Sequence, residues 1–215
     1  MASRTASAPA PVRAAAVPAA PADRRPVRER LLAAADELFY REGINNVGID
    51  RVLEHAGVAK ASLYATFGSK EELVRAYLQG RQESRRARIE ARIAKHTAPR
   101  EQLLAVFDAS SEAFAHPGFR GCAFLMANSE LPGGERTRSV CDSYRGWIRD
   151  LFTRLAREAG ARDVKTLAQQ LVLLYDGALV SAQMDGNAAA AQAARDTAAV
   201  LLDAAVGTAS RRRAH

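Results

Sequence analysis

From Arg28 to Ala205 the apolar residues recur three and four positions apart, and nowhere do they settle into the alternation of a strand. Such a period dictates helices that each bury one stripe, so the chain is expected to be all-α. Alanine, abundant from end to end, reinforces this, because it has the smallest helix cost and almost no side-chain freedom to lose.

Glycine and proline cut the pattern into about nine helices. The first, within "RERLLAAADELFYREG", carries Leu31, Ala34, Ala35, Leu38 and Phe39 and stops at Gly43. The second, "IDRVLEHA", groups Ile49, Val52, Leu53 and Ala56. A short third ends near Phe67. Ser69 then caps a long fourth helix, with Glu72 three residues on as a capping box requires, and this helix runs to about Lys95. Pro99 opens the fifth, a brief sixth spans "CAFLMANSEL" and stops at "PGG" (132–134), and the seventh runs from Glu135 to about Ala159. Two more, from about Asp163 to Met184 and from about Ala188 to Ala205, complete the set. The arginine-bearing run "RQESRRARIEARIAK" in the fourth helix has Glu83 and Glu90 interspersed, and it reads as a solvated face.

Several functions are excluded at this level. No apolar run approaches the ~20 residues that cross a bilayer. The opening stretch over 1–24 is broken by proline and arginine. It reads as a disordered basic Ala/Pro-rich tail in a cytoplasmic protein; an organellar transit peptide is the other reading. Cys122 and Cys141 do not make a disulfide framework. His55, His96, His116 and His215 share no metal-ligand spacing with them, and there is neither a phosphate-binding glycine loop nor a nucleophile elbow. No enzyme, cofactor or metal is therefore expected. A net charge of +7 points to a polyanionic partner, although charge alone speaks only to non-specific attraction.

The third helix is the informative one. Leu63 and Phe67 stand four apart and are expected to enter a small core together. At about 100° per residue, Ala61, Ser62 and Ala65 fall on the opposite side, with Tyr64 and Thr66 flanking them. Small alanines let a helix axis come close to base edges in a major groove. Ser62 and Thr66 can donate or accept there, and Lys60 can reach guanine or phosphate. Tyr64 and Lys70 read as phosphate clamps, and the amides after Gly48, from Ile49 on, as an anion site. Helix, tight turn at "HAGV" and short helix make a helix-turn-helix; a helical binding protein with no DNA role is the alternative.

The segment "RERLLAAADELFYREGINNVGIDRVLEHAGVAKASLYATFGSKEELVRAYL" resembles the N-terminal domain of TetR/AcrR-type transcriptional repressors, through "LF…G", "AGVAK", the "LY" pair, Phe67 and "SKEEL". Gly48 departs from the threonine usual in that family, and Ala65 and Thr66 from its bulkier aromatics or histidine, so an unusual operator preference is expected. The resemblance implies a homodimer with two recognition helices on a near-palindromic double-stranded DNA operator. It also implies a C-terminal helical domain where a small-molecule effector lowers DNA affinity. The expected division is a tail over 1–24, a DNA-binding domain over 25–70, an effector and dimerisation domain over 71–209 and a frayed end over 210–215. "LVLLYDGALVSAQM" and "ARDTAAVLLDAAV" offer faces for pairing with a twofold copy.

For the effector, Phe107, Ser111, Phe114, Cys122, Phe124, Met126, Asn128, Tyr144, Trp147, Tyr175 and Met184 are the candidate walls, mostly apolar with a few polar groups. "GFRGCAFLMANSELPGG" also resembles a segment from a branch of the family in which some members sense electrophiles or oxidants through cysteine. An electrophile or redox sensor at Cys122, helped by the helix N-terminus or Arg120, is the alternative trigger.

Overall fold

The computed structural model describes residues 25–131 and 135–207. The tail expected over 1–24, the break at 132–134 and the frayed end over 210–215 lie outside the described residues. Among the described residues the regular structure is nine α-helices: α1 (Val27–Glu42), α2 (Ile49–Ala56), α3 (Lys60–Phe67), α4 (Lys70–Ile93), α5 (Pro99–Phe114), α6 (Ala123–Glu130), α7 (Glu135–Glu158), α8 (Val164–Asp185) and α9 (Ala189–Val206). None of these helices is long and apolar enough to cross a membrane.

The helix ends follow from local chemistry. Ser69 Oγ accepts from the Glu72 amide at 3.2 Å at the start of α4, and Pro99 occupies the first turn of α5, where its missing N–H is no loss. Gly57 ends α2 in the left-handed region at φ 60°, a conformation that other residues reach only with strain. The freed carbonyls at that end are taken by Arg30, whose guanidinium donates to Ala56 O at 2.7 Å and also to Gly57 O. A cation at a helix C-terminus also complements the dipole.

α1 is the hub of the N-terminal part. Leu31, Ala35, Leu38 and Phe39 bury against Val52 and Leu53 of α2, Leu63 of α3 and Leu73 and Leu78 of α4. α4 (24 residues, about 36 Å at 1.5 Å per residue) then continues into the second part, where it packs on α5, α6 and α7. Arg81 fastens α4 to α1: it donates to Asp36 Oδ2 at 2.9 Å and lies 3.8 Å over the Tyr40 ring. The C-terminal core centres on Phe107, Phe152 and Tyr175, with ring centroids 5.8 to 6.5 Å apart.

Two expectations are corrected here. Leu63 is fully enclosed, but Phe67 is only half-buried and has Arg28 5.6 Å over its ring, so α3 hangs on one interior side chain rather than two. The second half of α4 is not a uniformly solvated face. Gln82, Ile89 and Ile93 are buried, and Arg85 and Arg88 turn at least partly inward beside them. Positions 78, 82, 85, 89 and 93 continue the stripe begun at Leu73 and Tyr77, and that periodicity was the available signal.

Candidate nucleic-acid interface and ligand cavity

α3 is two turns long, about 12 Å, and begins after Ala59 with no side-chain cap. What holds it is Leu63, fully buried, together with its packing against α1, α2 and α4. With that anchor inward, Ala61, Tyr64, Ala65 and Thr66 are exposed and Ser62 is half-exposed, so the five form one outward surface. Tyr64 leaves 48% of its surface in solvent, an unusual amount for a large aromatic that no contact demands there. The Thr66 hydroxyl donates back to Ser62 O at 2.6 Å, so what it offers outward is lone pairs, as an acceptor.

Lys60 opens α3 with its Nζ 3.1 Å from Asp50 Oδ1, an ion pair exposed on both sides. A phosphate would have to compete with that carboxylate. Beside it, exposed Gly48 starts α2 in extended conformation with no side-chain cap, leaving the first amides, from Ile49, without intrahelical acceptors. Lys70 is not an outward clamp. Its Nζ donates to Ile44 O at 2.8 Å and lies 5.9 Å over the Phe39 ring, and burial lowers its pKa from the ordinary lysine value. It ties the start of α4 to the α1–α2 turn.

The net charge of +7 is unevenly distributed along the chain. Arg4, Arg13, Arg24, Arg211, Arg212 and Arg213 stand in the two terminal segments against the single acid Asp23, and these segments carry most of the excess. The helix-turn-helix itself is close to neutral, with Arg41, Arg51 and His55 paired to Glu37 or Glu42.

The second part contains a cavity of about 440 Å³ between α6, α7 and α8, lined by Cys122, Phe124, Leu125, Asn128, Cys141, Asp142, Tyr144, Arg145, Asp176, Leu179 and Val180. Of the residues expected to wall it, Cys122, Phe124, Asn128 and Tyr144 do. Phe107 and Tyr175 belong to the aromatic core, and Phe114 is buried against Phe119 with ring centroids 4.8 Å apart. Ser111, Met126 and Trp147 are part-buried away from the cavity, and Met184 is 80% exposed on α8. Sequence reading missed Arg145 and Asp176, an ion pair across α7 and α8, because partners 31 residues apart give no local signal. Phe124 and Tyr144 stack with centroids 4.0 Å apart and form one wall.

Cys122 is the N-cap of α6, with Sγ 3.8 Å from Arg85 Nη1; the guanidinium beside it is that of Arg85, not Arg120. Cys141 is buried and donates to Phe124 O at 3.6 Å, and burial pushes its thiol up to about 11. Among the described residues no three His, Cys, Asp or Glu side chains are grouped to hold a metal ion.

The segment leading into α6 and the last residue of α6 are both bonded to the helix-turn-helix. At its start the Tyr40 hydroxyl donates to Gly121 O at 3.0 Å and accepts from the Arg120 amide at 2.9 Å. Gly121 has φ 102°, and a Cβ there would come within 2.1 Å of Gln183 Oε1, so only glycine fits this crossing without strain. At its end, Asn45 in the α1–α2 turn is bonded to Glu130.

Known proteins give this geometry its context. The family model described as bacterial regulatory proteins, tetR family, matches residues 31–77, from α1 into α4. The crystal structure of SCO4454, a TetR-family transcriptional regulator from Streptomyces coelicolor, superposes with a TM-score of 0.80 at 32% identity, covering 84% of this chain and 96% of that one. Among curated relatives, the transcriptional activator FasR of Mycolicibacterium smegmatis is 28% identical over 72% of this chain and 70% of its own. The transcriptional repressor KstR2 of the same species is 32% identical over 46% of this chain and 47% of its own. Together the helix order, the family match over α1 to α4 and a likeness that extends over most of the chain place it in the TetR family of helix-turn-helix transcriptional regulators, which bind DNA and are not enzymes.

Proposed function

We propose that the chain is a cytoplasmic homodimeric repressor that reads one operator and leaves it when a small molecule occupies the second part. The observation that carries this reading is the surface of α3, where Ala61, Ser62, Tyr64, Ala65 and Thr66 face solvent around a buried Leu63. Ser62 and Thr66 have the groups and Ala61 and Ala65 the closeness for base readout, while Tyr64, Lys60 and the amides after Gly48, from Ile49 on, reach phosphates. Lys70 has no part in it, since its ammonium is engaged internally.

Dimerisation is supported by α8 and α9. Leu173, Val180 and Met184 lie seven and four residues apart on α8 and are 70%, 40% and 80% exposed, and Val200 on α9 is 68% exposed. A stripe of this kind suits a twofold copy, with half-sites about one helical turn (~34–36 Å) or a multiple apart. A DNA-binding unit over 25–70 and an effector and dimerisation unit over 71–209 belong to the same reading, with α4 shared between them.

The trigger is a shift between two conformations, the effector favouring one whose recognition helices are wrongly spaced. α6 is the coupling element besides α4, since it lines the cavity and its ends are bonded to α1 and to the α1–α2 turn. A second reading, an electrophile-sensing repressor, draws on the Cys122 thiol at the cavity beside Arg85. It requires that operator release by an alkylating agent be lost in Cys122→Ser.

The direct test is to capture genomic DNA fragments on the purified protein, sequence them, and titrate the enriched duplex against a scrambled one across salt concentrations. A preference of at least ~10³ is expected of a specific reader. In a library of operator variants, Tyr64→Ala should weaken every sequence alike, whereas Ser62→Ala should change their rank order; equal effects of the two refute the assignment of roles. Placing the operator between a promoter and a reporter gene decides repression, with activation of the reporter as the contrary result.

A further inference from the structure

Among the described residues, Arg85 and Arg88 on the interior face of α4 form no ion pair with a carboxylate; Glu112, whose charge reaches Arg88, is bonded to Arg92. Arg85 donates from Nη1 to the Tyr144 hydroxyl at 3.0 Å and to Cys122 Sγ at 3.8 Å, and Tyr144 in turn is 3.2 Å from the Tyr175 hydroxyl. None of these partners is a carboxylate, and burial pushes the Tyr144 phenol well above its ordinary range. Arg88, one turn further, has its Nε buried with no acceptor. Burial, and then the neighbouring charge of Arg85, lower its pKa from the ordinary arginine value.

The surrounding acids are occupied elsewhere. Asp36 is held by Arg81, Glu112 by Arg92 at 2.7 Å, and Asp176 by Arg145. A guanidinium keeps its charge at any physiological pH, so neither arginine can escape the cost of burial by losing a proton. Two such groups stand together, with a phenol and a thiol as the only described hydrogen-bond acceptors for Arg85, and a bound anion would offset their charge.

There is room for one. Arg85 and Arg88 line a hollow of about 70 Å³ with Tyr40, Arg81, Ser84, Ala123 and Phe124, enough for a carboxylate but not for a whole metabolite. Phe124 is also a wall of the 440 Å³ cavity, a volume ordinary for a small organic ligand and lined there by Leu125, Tyr144, Leu179 and Val180. We infer that the effector is a small organic acid whose carboxylate is held by Arg85 and Arg88 beside Ser84 and Tyr40, and whose apolar body lies along Phe124 into the larger cavity. A planar carboxylate suits the fork of a guanidinium, which binds it through two parallel hydrogen bonds. Tyr40, which borders the hollow, is the same residue that holds Gly121 and Arg120, so the head group would sit against the link to α1.

This inference rests on the effector reading above, and the test separates the two. Trp147, the single tryptophan, lies 6.2 Å from Tyr144 and reports occupancy by its fluorescence. Benzoate, cinnamate and decanoate are titrated into the purified protein at constant ionic strength, each against its primary amide. At least one acid should bind ten-fold or more tightly than its amide. Arg85→Gln and Arg88→Gln should each reduce that preference several-fold, and Arg154→Gln, on the exposed side of α7, should leave it unchanged. If no acid is preferred over its amide in the unaltered protein, including the case where nothing binds, or if the preference survives in both variants, the anion seat is overturned. An acid that binds through Arg85 without changing operator affinity keeps the seat and refutes the effector reading. Operator release by an amide, with no preference for acids, does the reverse.

Discussion

Asn45 and Glu130 are bonded twice across the boundary between the helix-turn-helix and the rest of the chain. The Asn45 amide donates to Glu130 Oε2 at 2.9 Å, and its side-chain Nδ2 donates to Glu130 O at 2.7 Å. The second bond also occupies one of the carbonyls left open at the end of α6. Since Tyr40 grips the other end, α6 cannot tilt without disturbing α1 or the turn before α2.

Glu130→Ala should therefore uncouple α6 from DNA binding more than it weakens binding itself. Operator affinity is expected to fall by less than about threefold, as for the loss of one exposed hydrogen bond. In hydrogen-exchange measurements the α6 amides of the unaltered protein should be protected further on adding operator, and in Glu130→Ala, which keeps the Asn45 Nδ2 bond to the main-chain carbonyl, this added protection should be smaller.

Lys60 and Asp50 yield a prediction with opposite signs. Asp50→Asn frees Lys60 and removes a carboxylate from the surface proposed to face phosphates, so operator affinity should rise a few-fold. Lys60→Gln should lower affinity for all sequences and reduce the slope of log affinity against log salt by about 1. Binding isotherms between 50 and 200 mM salt check both.

Leu63→Ala should cost about 3 kcal/mol of stability, the usual range for truncating a buried leucine being 2–5 kcal/mol. Because α3 has no second enclosed side chain, the loss should be felt locally as well. Exchange at the α3 amides should approach that of an open chain while α4 to α9 stay protected, and specific DNA binding should vanish before the fold does.

Cys141 makes stability depend on alkaline pH. Its folded-state value, about 11 against an ordinary 9.0, is raised chiefly by burial, which favours the neutral thiol. The stabilising contribution is thus complete below about pH 9 and is lost as pH rises from there through about 11. Urea unfolding of the unaltered protein and of Cys141→Ala at pH 8, 9.5 and 10.5 should show a steeper loss in the former.

Much of this molecule was legible in its sequence, because helix period, caps and stops are local signals. The stripe from Leu31 to Phe39, the Ser69 cap and the outward face of α3 all stand where the spacing puts them. The errors concern residues whose type misleads about position. Lys70 reads as a free cation but curls onto Ile44 O, and Arg85 and Arg88 read as solvated because arginine usually is, although they continue an apolar stripe. The bonds of Tyr40 and Asn45 to α6 join residues about eighty positions apart, and nothing in the spacing of either segment announces them.

The single inward anchor of α3 has a wider consequence. The seating of α3 depends on Leu63, whereas Ala61, Ala65 and Thr66 are exposed and Ser62 half-exposed, so exchanges there disturb the interior little. If α3 reads the operator as proposed, target choice and the seating of the helix are governed by different positions on the same eight-residue element. On that reading, descendants of this chain would retarget to new promoters by drifting at four surface sites, without first acquiring compensating changes in the interior.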